Sequence, residues 1–128
     1  MTRAEVLEYV RLEYGTEPDY PWHDDNAVLR HAGNGKWYGL LMKIRRDRLG
    51  LPGLELVDVM NVKCDPILVG ALRSQEGFRP AYHMNKERWI TILLDGSAPE
   101  ALVKQLIDMS FSATAAKPKA GAARKGRA

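Results

Sequence analysis

Ala27-Val28-Leu29-Arg30-His31-Ala32-Gly33-Asn34-Gly35-Lys36-Trp37-Tyr38-Gly39-Leu40-Leu41-Met42-Lys43-Ile44-Arg45-Arg46 reads as two β-strands joined by a tight turn. In Gly33-Asn34-Gly35, the Asn-Gly pair supplies the positive φ angles that a short hairpin needs. The first strand covers Ala27 to Ala32 and the second runs from Lys36 to about Arg46. Tyr38, Leu40, Met42 and Ile44 share one face of the second strand at a period of two, and Lys43 and Arg45 take the other. A ribbon with an apolar face must bury it, so the flanking segments decide the architecture.

Upstream, Thr2-x-x-Glu5 has capping-box spacing, and Val6, Leu7, Val10 and Tyr14 recur at helical intervals until Gly15. This predicts a helix over 3–14. Thr16 to Asn26 holds Pro18, Tyr20, Pro21 and Trp22 without periodicity and reads as an ordered loop pinned by Trp22. Downstream, Asp47 to Gly53 turns the chain. Leu54 to Lys63 then forms a strand whose apolar parity shifts between Leu56 and Val57, the mark of a bulge or of burial on both faces.

Asp65-Pro66 starts a second helix, with an acceptor at the N-cap and a proline where the N–H has no partner to lose. Phe78 to Glu87 reads as irregular. Arg88 to Asp95 is a strand central to the sheet, carrying Trp89-Ile90-Thr91-Ile92-Leu93-Leu94. Ser97 and Glu100 predict a second capping box before a last helix bearing Leu102, Val103, Leu106, Ile107 and Met109. The order α-β-β-β-α-β-α predicts an α+β domain, an antiparallel sheet with helices packed on one face.

The domain is expected over residues 1–113, with a disordered basic tail over 114–128. Charge divides along the same boundary. Of 19 lysines and arginines, Lys117, Lys119, Arg124, Lys125 and Arg127 lie in the tail with no acid, leaving 14 against 16 acids and a net −2 for the domain. The basic pI is thus a property of the tail. Apolar runs such as Ile90 to Leu94 are far shorter than a membrane span, and the first residues lack the apolar stretch of a secretory signal. The lone Cys64 cannot form an internal disulfide. A cytoplasmic, monomeric protein is expected.

Two stretches carry a family resemblance: Asn61-Val62-Lys63-Cys64-Asp65-Pro66, and Pro80-Ala81-Tyr82-His83-Met84-Asn85-Lys86-Glu87-Arg88-Trp89-Ile90-Thr91 continued by Leu94-Asp95-Gly96. Pro21-Trp22, Gly35-Lys36-Trp37 and Ile107-Asp108-x-Ser110-Phe111 add to it. The chain resembles the MmcQ/YjbR family. The resemblance implies a CyaY-like fold and a DNA-binding role of double-wing type. No cofactor is expected.

Three groups of residues are candidates for that role. Tyr82, His83, Asn85, Lys86, Arg88 and Trp89 offer cations, an amide and rings that can grip phosphates and stack a base. The plainer alternative is that Trp89 is core, His83 and Asn85 cap a turn, and Lys86 is solvated. Lys63, at a strand end, is a weaker candidate. Lys43, Arg45, Arg46 and Arg48 at the hairpin tip can track a DNA backbone, or merely form a charged turn that resists aggregation. The tail cations can add sequence-independent affinity, or only solubility.

His23, Asp24 and Asp25 lack the spacing of a metal site, so no metal is expected. Cys64 stands before a helix N-cap, where the dipole can lower a thiol pKa. Nothing in the sequence fixes a base such as His83 beside it, and a buried thiol next to the Asp65-Pro66 cap is the preferred reading. Without a phosphate loop or nucleophile elbow, catalysis is not expected. The competing reading is a protein- or small-ligand-binding module that uses the His83–Trp89 surface, with no nucleic-acid role.

Overall fold

The computed structural model describes residues 1–116. The tail cations Lys117 to Arg127 lie outside the described residues. Eight main elements follow in order: α1 (Arg3–Tyr14), β1 (Ala27–Arg30), β2 (Trp37–Arg45), β3 (Leu56–Lys63), α2 (Pro66–Leu72), β4 (Phe78–Pro80), β5 (Trp89–Leu93) and α3 (Glu100–Thr114). A 3-10 turn, Arg46–Leu49, sits between β2 and β3. The five strands form one antiparallel sheet in the order β1-β2-β3-β5-β4. The α+β class is as expected, but the element order gains a strand.

That strand is β4, in the segment read as irregular. Phe78 is fully buried and pairs with Ile92, while Pro80 pairs with Ile90 at the sheet edge. A three-residue strand containing proline leaves no period-two signature, and proline is tolerated there because an edge residue can lack a ladder donor.

The helix starts follow their caps, with one exception. At α1 the Thr2 hydroxyl accepts from Glu5 N at 3.2 Å and the Glu5 carboxylate accepts from Thr2 N at 2.8 Å. At α2 the Asp65 carboxylate accepts from Ile67 N at 2.9 Å. The predicted Ser97–Glu100 box does not form. Asp95 captures Ser97 instead, accepting from its backbone N at 3.0 Å and its hydroxyl at 2.5 Å, and Pro99 takes the N-cap without a side-chain bond.

All three helices lie against one face of the sheet. Val6 and Val10 from α1, Val69 and Leu72 from α2, and Val103, Leu106 and Ile107 from α3 meet Leu41, Met60, Val62, Ile90 and Ile92 there. Burying each such side chain contributes about 1.5–3 kcal/mol. The opposite face carries a smaller core of Val28, Leu40, Met42, Val57, Val59 and Leu93, roofed by Leu49 from the 3-10 turn and by Tyr82 and Met84. The parity change expected between Leu56 and Val57 is neither a bulge nor two-sided burial, because the register there is continuous and Leu56 is exposed. β3 is buried on both faces further along, with Val57 and Val59 on one side and Met60 and Val62 on the other.

Tyr38 departs from the expected face. The register passes from Leu29↔Gly39 to Arg30↔Trp37, so Tyr38 is an extra residue and the strand bulges. The bulge sends Tyr38 into the helix-side core, away from Leu40, Met42 and Ile44, and aligns Trp37 with them. The Tyr38 hydroxyl donates to Thr16 Oγ1 at 2.7 Å.

The β1–β2 turn also differs from expectation. Gly35 alone adopts a positive φ, 71°, and Asn34 does not. Asn34 acts through its side chain: Oδ1 accepts from Lys36 N at 2.9 Å, and Nδ2 donates to the Thr114 carbonyl at 3.0 Å. Thr114, placed in the tail from sequence, is buried at the end of α3 with its hydroxyl 2.9 Å from His31 Nε2. The turn therefore satisfies the last carbonyls of α3, groups every helix terminus leaves open.

Candidate binding surfaces

The hairpin cations are largely neutralised within the fold. Arg45 grips Asp47 through two bonds of 2.8 Å, which holds the Asp47 carboxyl below its usual range. Lys43 Nζ lies 3.9 Å from Asp58, its cross-strand partner. Arg46 reaches Glu55 at 3.3 Å and Asp95 at 3.8 Å and donates to the Pro52 carbonyl at 2.9 Å. Of the four, Arg48 alone has no ion pair among the described residues.

The Tyr82–Trp89 segment divides into three environments. At its start the backbone is pinned by buried polar groups: Tyr82 N donates to Thr91 Oγ1 at 3.0 Å, and Asn61 Nδ2 donates to the Tyr82 carbonyl at 2.9 Å. His83 then takes a left-handed φ of 57°, which costs a non-glycine residue roughly 1–2 kcal/mol. Asn85 serves the turn, its side-chain oxygen accepting from Glu87 N at 2.9 Å and Arg88 N at 3.2 Å. Trp89 is half-buried in β5, across from Lys63.

Two side chains of the segment meet the hairpin. Arg48, Leu49 and Gly50 on one side and Arg79, Pro80, Ala81, Tyr82 and Lys86 on the other line a cleft of about 230 Å³. Arg79 Nε donates to the Leu49 carbonyl at 2.6 Å, tying the 3-10 turn to β4. Lys86 Nζ donates to the Ala81 carbonyl at 2.7 Å, which draws the ammonium back over the cleft wall. Arg48, Arg79 and Lys86 have no ion pair among the described residues, and no acid lines the cleft. Arg79 was missed from sequence because it falls in the segment read as irregular.

Lys63 and Arg88 belong elsewhere. They line a separate hollow of about 230 Å³ with Cys64, Pro66 and Met109. Cys64 is buried, and burial followed by the neighbouring Asp65 carboxylate pushes its thiol pKa up. This agrees with a buried thiol beside the Asp65-Pro66 cap rather than one activated by the helix dipole, so the thiolate is disfavoured.

The roomiest of these surfaces was not read from sequence. Trp22, Trp37, Leu40, Met42, His83 and Met84, with Asp24 and Asn26 beside them, line a trough of about 480 Å³ on the helix-free face of the sheet. Its members come from three distant segments, so no local spacing announces it. Among the described residues no group of three or more His, Cys, Asp or Glu is placed to hold a metal ion. No helix among them is long and apolar enough to cross a membrane.

With this geometry in place, comparison with known proteins places the chain. The YjbR family model matches residues 13–113. The chain belongs to the YjbR family. An uncharacterized Bacillus subtilis protein, YyaQ, is 44% identical over 116 residues, 89% of this chain and 98% of its own. The uncharacterized YjbR of Escherichia coli K12 is 29% identical over 112 residues, 87% and 85% of the two chains. A Pseudomonas syringae crystal structure superposes with a TM-score of 0.87 at 46% identity, covering 90% of this chain and all of its own. A Deinococcus radiodurans structure reaches 0.71 at 27% identity, covering 98% and 88%. The two solved structures share the α+β fold of this YjbR-family chain, and none of these names states an activity.

Proposed function

We propose that this YjbR-family domain is a DNA-binding module without catalysis, and that it contacts the phosphate backbone through the cleft between the 3-10 turn and the Arg79–Lys86 segment. The observation that carries this is the gathering of Arg48, Arg79 and Lys86 around one cleft with no acid in its lining. Guanidinium and ammonium groups left without carboxylate partners are the donors that phosphate oxygens take up, and Arg grips them bidentately. The reading moves the contact away from Lys43, Arg45 and Arg46, whose charges Asp58, Asp47, Glu55 and Asp95 already meet. It also accommodates a domain of net −2, because the attraction is local.

The three cleft contacts contribute about −2.7 to the salt slope, so their share of the affinity should fall roughly 40-fold between about 50 and about 200 mM salt. The test is a titration of the full chain with mixed-sequence duplex DNA across that range, beside the double change Arg48→Ala and Lys86→Ala. Weaker binding and a shallower slope in the variant support the reading. Absence of binding at the lower salt, or identical curves, overturns it.

A further inference from the structure

The trough on the helix-free face has the chemistry of a cation receptor, and we infer that it binds a small organic cation of the quaternary-ammonium class. Trp22 and Trp37 stand at 86° to each other with ring centroids 5.7 Å apart, so two indoles form a corner. The negative face of an indole attracts an alkylated ammonium more strongly than any other side-chain ring does, and perpendicular rings let several such surfaces meet one cation. The methionines of the lining add polarizable thioethers.

Charge is complementary. The lining holds the Asp24 carboxylate and no lysine or arginine. Asp24 is oriented rather than consumed: it accepts from Asn26 N at 2.9 Å and from Asn26 Nδ2 at 3.3 Å, both neutral donors, and has no ion pair among the described residues. Trp37 already accepts one cation of the chain, the Arg30 guanidinium 5.8 Å from its ring centroid. Arg30 lies outside the trough lining, and its charge is met by Asp19 at 2.7 Å.

Two further facts mark the trough as more than a packing gap. Trp22 is 49% exposed, a large ring left half in water. The two non-glycine residues with left-handed backbone among the described residues are His23 (φ 58°) and His83 (φ 57°), one in each loop that borders the trough. Strain of this kind concentrates where a loop must present its neighbours in one geometry, here Trp22 with Asp24 and Tyr82 with Met84. The volume of about 480 Å³ lies within the range of small-molecule sites, so a free small cation fits it.

The experiment uses the full chain and follows the indole N–H signals of the tryptophans by NMR during titration with choline. A parallel titration uses 3,3-dimethylbutanol, which has the same shape without the charge. Choline should shift the Trp22 and Trp37 signals saturably and bind at least about fivefold more tightly than the neutral alcohol. Asp24→Asn retains the acceptor for Asn26 N and should weaken choline about three- to tenfold while sparing the alcohol. Trp22→Ala removes a half-exposed ring and should weaken choline about tenfold. Equal affinity for the two probes, the absence of saturable shifts, or unchanged binding in both variants overturns the inference. Tighter binding of a trimethyllysine peptide than of choline overturns the small-molecule assignment.

Discussion

Asn61 and Thr91 face each other across β3 and β5 at the centre of the sheet, and the Thr91 hydroxyl donates to Asn61 Oδ1 at 2.5 Å. Both residues are fully buried. The pair fixes the strand register and reaches outward, because Asn61 Nδ2 and Thr91 Oγ1 hold the carbonyl and the N–H of Tyr82. The turn that separates the cationic cleft from the aromatic trough is thus anchored in the core. Asn61→Ala leaves the Tyr82 carbonyl and the Thr91 hydroxyl short of partners, at about 2–3 kcal/mol. Urea unfolding should show that loss, and the Tyr82–Met84 amide signals should broaden or move while those of α1 stay in place.

Ser110 joins α3 to the sheet through both functions of one hydroxyl. It donates to the Tyr38 carbonyl at 2.6 Å and accepts from Lys63 N at 2.9 Å. Lys63 N stands at the end of β3 and Tyr38 at the bulge in β2, two places where the ladder fails to pair every backbone group. Ser110→Ala should cost about 1–3 kcal/mol by chemical denaturation, and Ser110→Thr should recover part of it where the extra methyl fits.

Tyr38 makes stability fall at high pH. Burial pushes its phenol up to about 12, above the usual value of about 10. The folded state therefore keeps its proton while the unfolded state loses it, so stability is fully present below about pH 10 and declines toward pH 12. Two pH units correspond to roughly 2–3 kcal/mol at most. The slope of stability against pH above 10 should flatten in Tyr38→Phe relative to wild type. An unchanged slope would place the loss on other groups, such as Tyr9, which burial and its bond to Asp108 also push up to about 12.

Cys64 should be inert. A buried thiol with a raised pKa reacts slowly, so an aromatic disulfide reagent should label the native chain far more slowly than the urea-unfolded chain. Rapid native labelling would show that the Lys63–Met109 hollow opens readily.

Arg45 and Arg48, three residues apart, should behave differently. Arg45 is exposed and already held by Asp47, so Arg45→Ala should leave DNA affinity within about twofold and the melting midpoint essentially unmoved. Arg48→Ala should weaken DNA binding and reduce the salt slope by about 1.

Most of the elements could be read from the chain because local rules decided them. Thr2 with Glu5, Asp65 with Pro66, and the apolar period of α3 each needed only neighbouring residues. What escaped the reading depended on pairing across distance. The bulge that turns Tyr38 inward is set by how β1 meets β2, and β4 exists because β5 offers it an edge. The neutralisation of Lys43 and Arg46 needed the β2–β3 register and the turn that brings Asp95 near. The candidate site was therefore legible as a list of cations and rings, but not as a place. Only Arg48, Tyr82 and Lys86 from that list share the cleft, and Arg79 joins them from a strand the sequence did not reveal.

The most direct test of the DNA-binding reading is a map of backbone amide shifts on adding duplex DNA to the full-length chain at low salt. The account predicts perturbations concentrated at Arg48–Gly50 and Arg79–Lys86, reversed by added salt. Perturbations confined to residues beyond Ala116, or none at all, would contradict it.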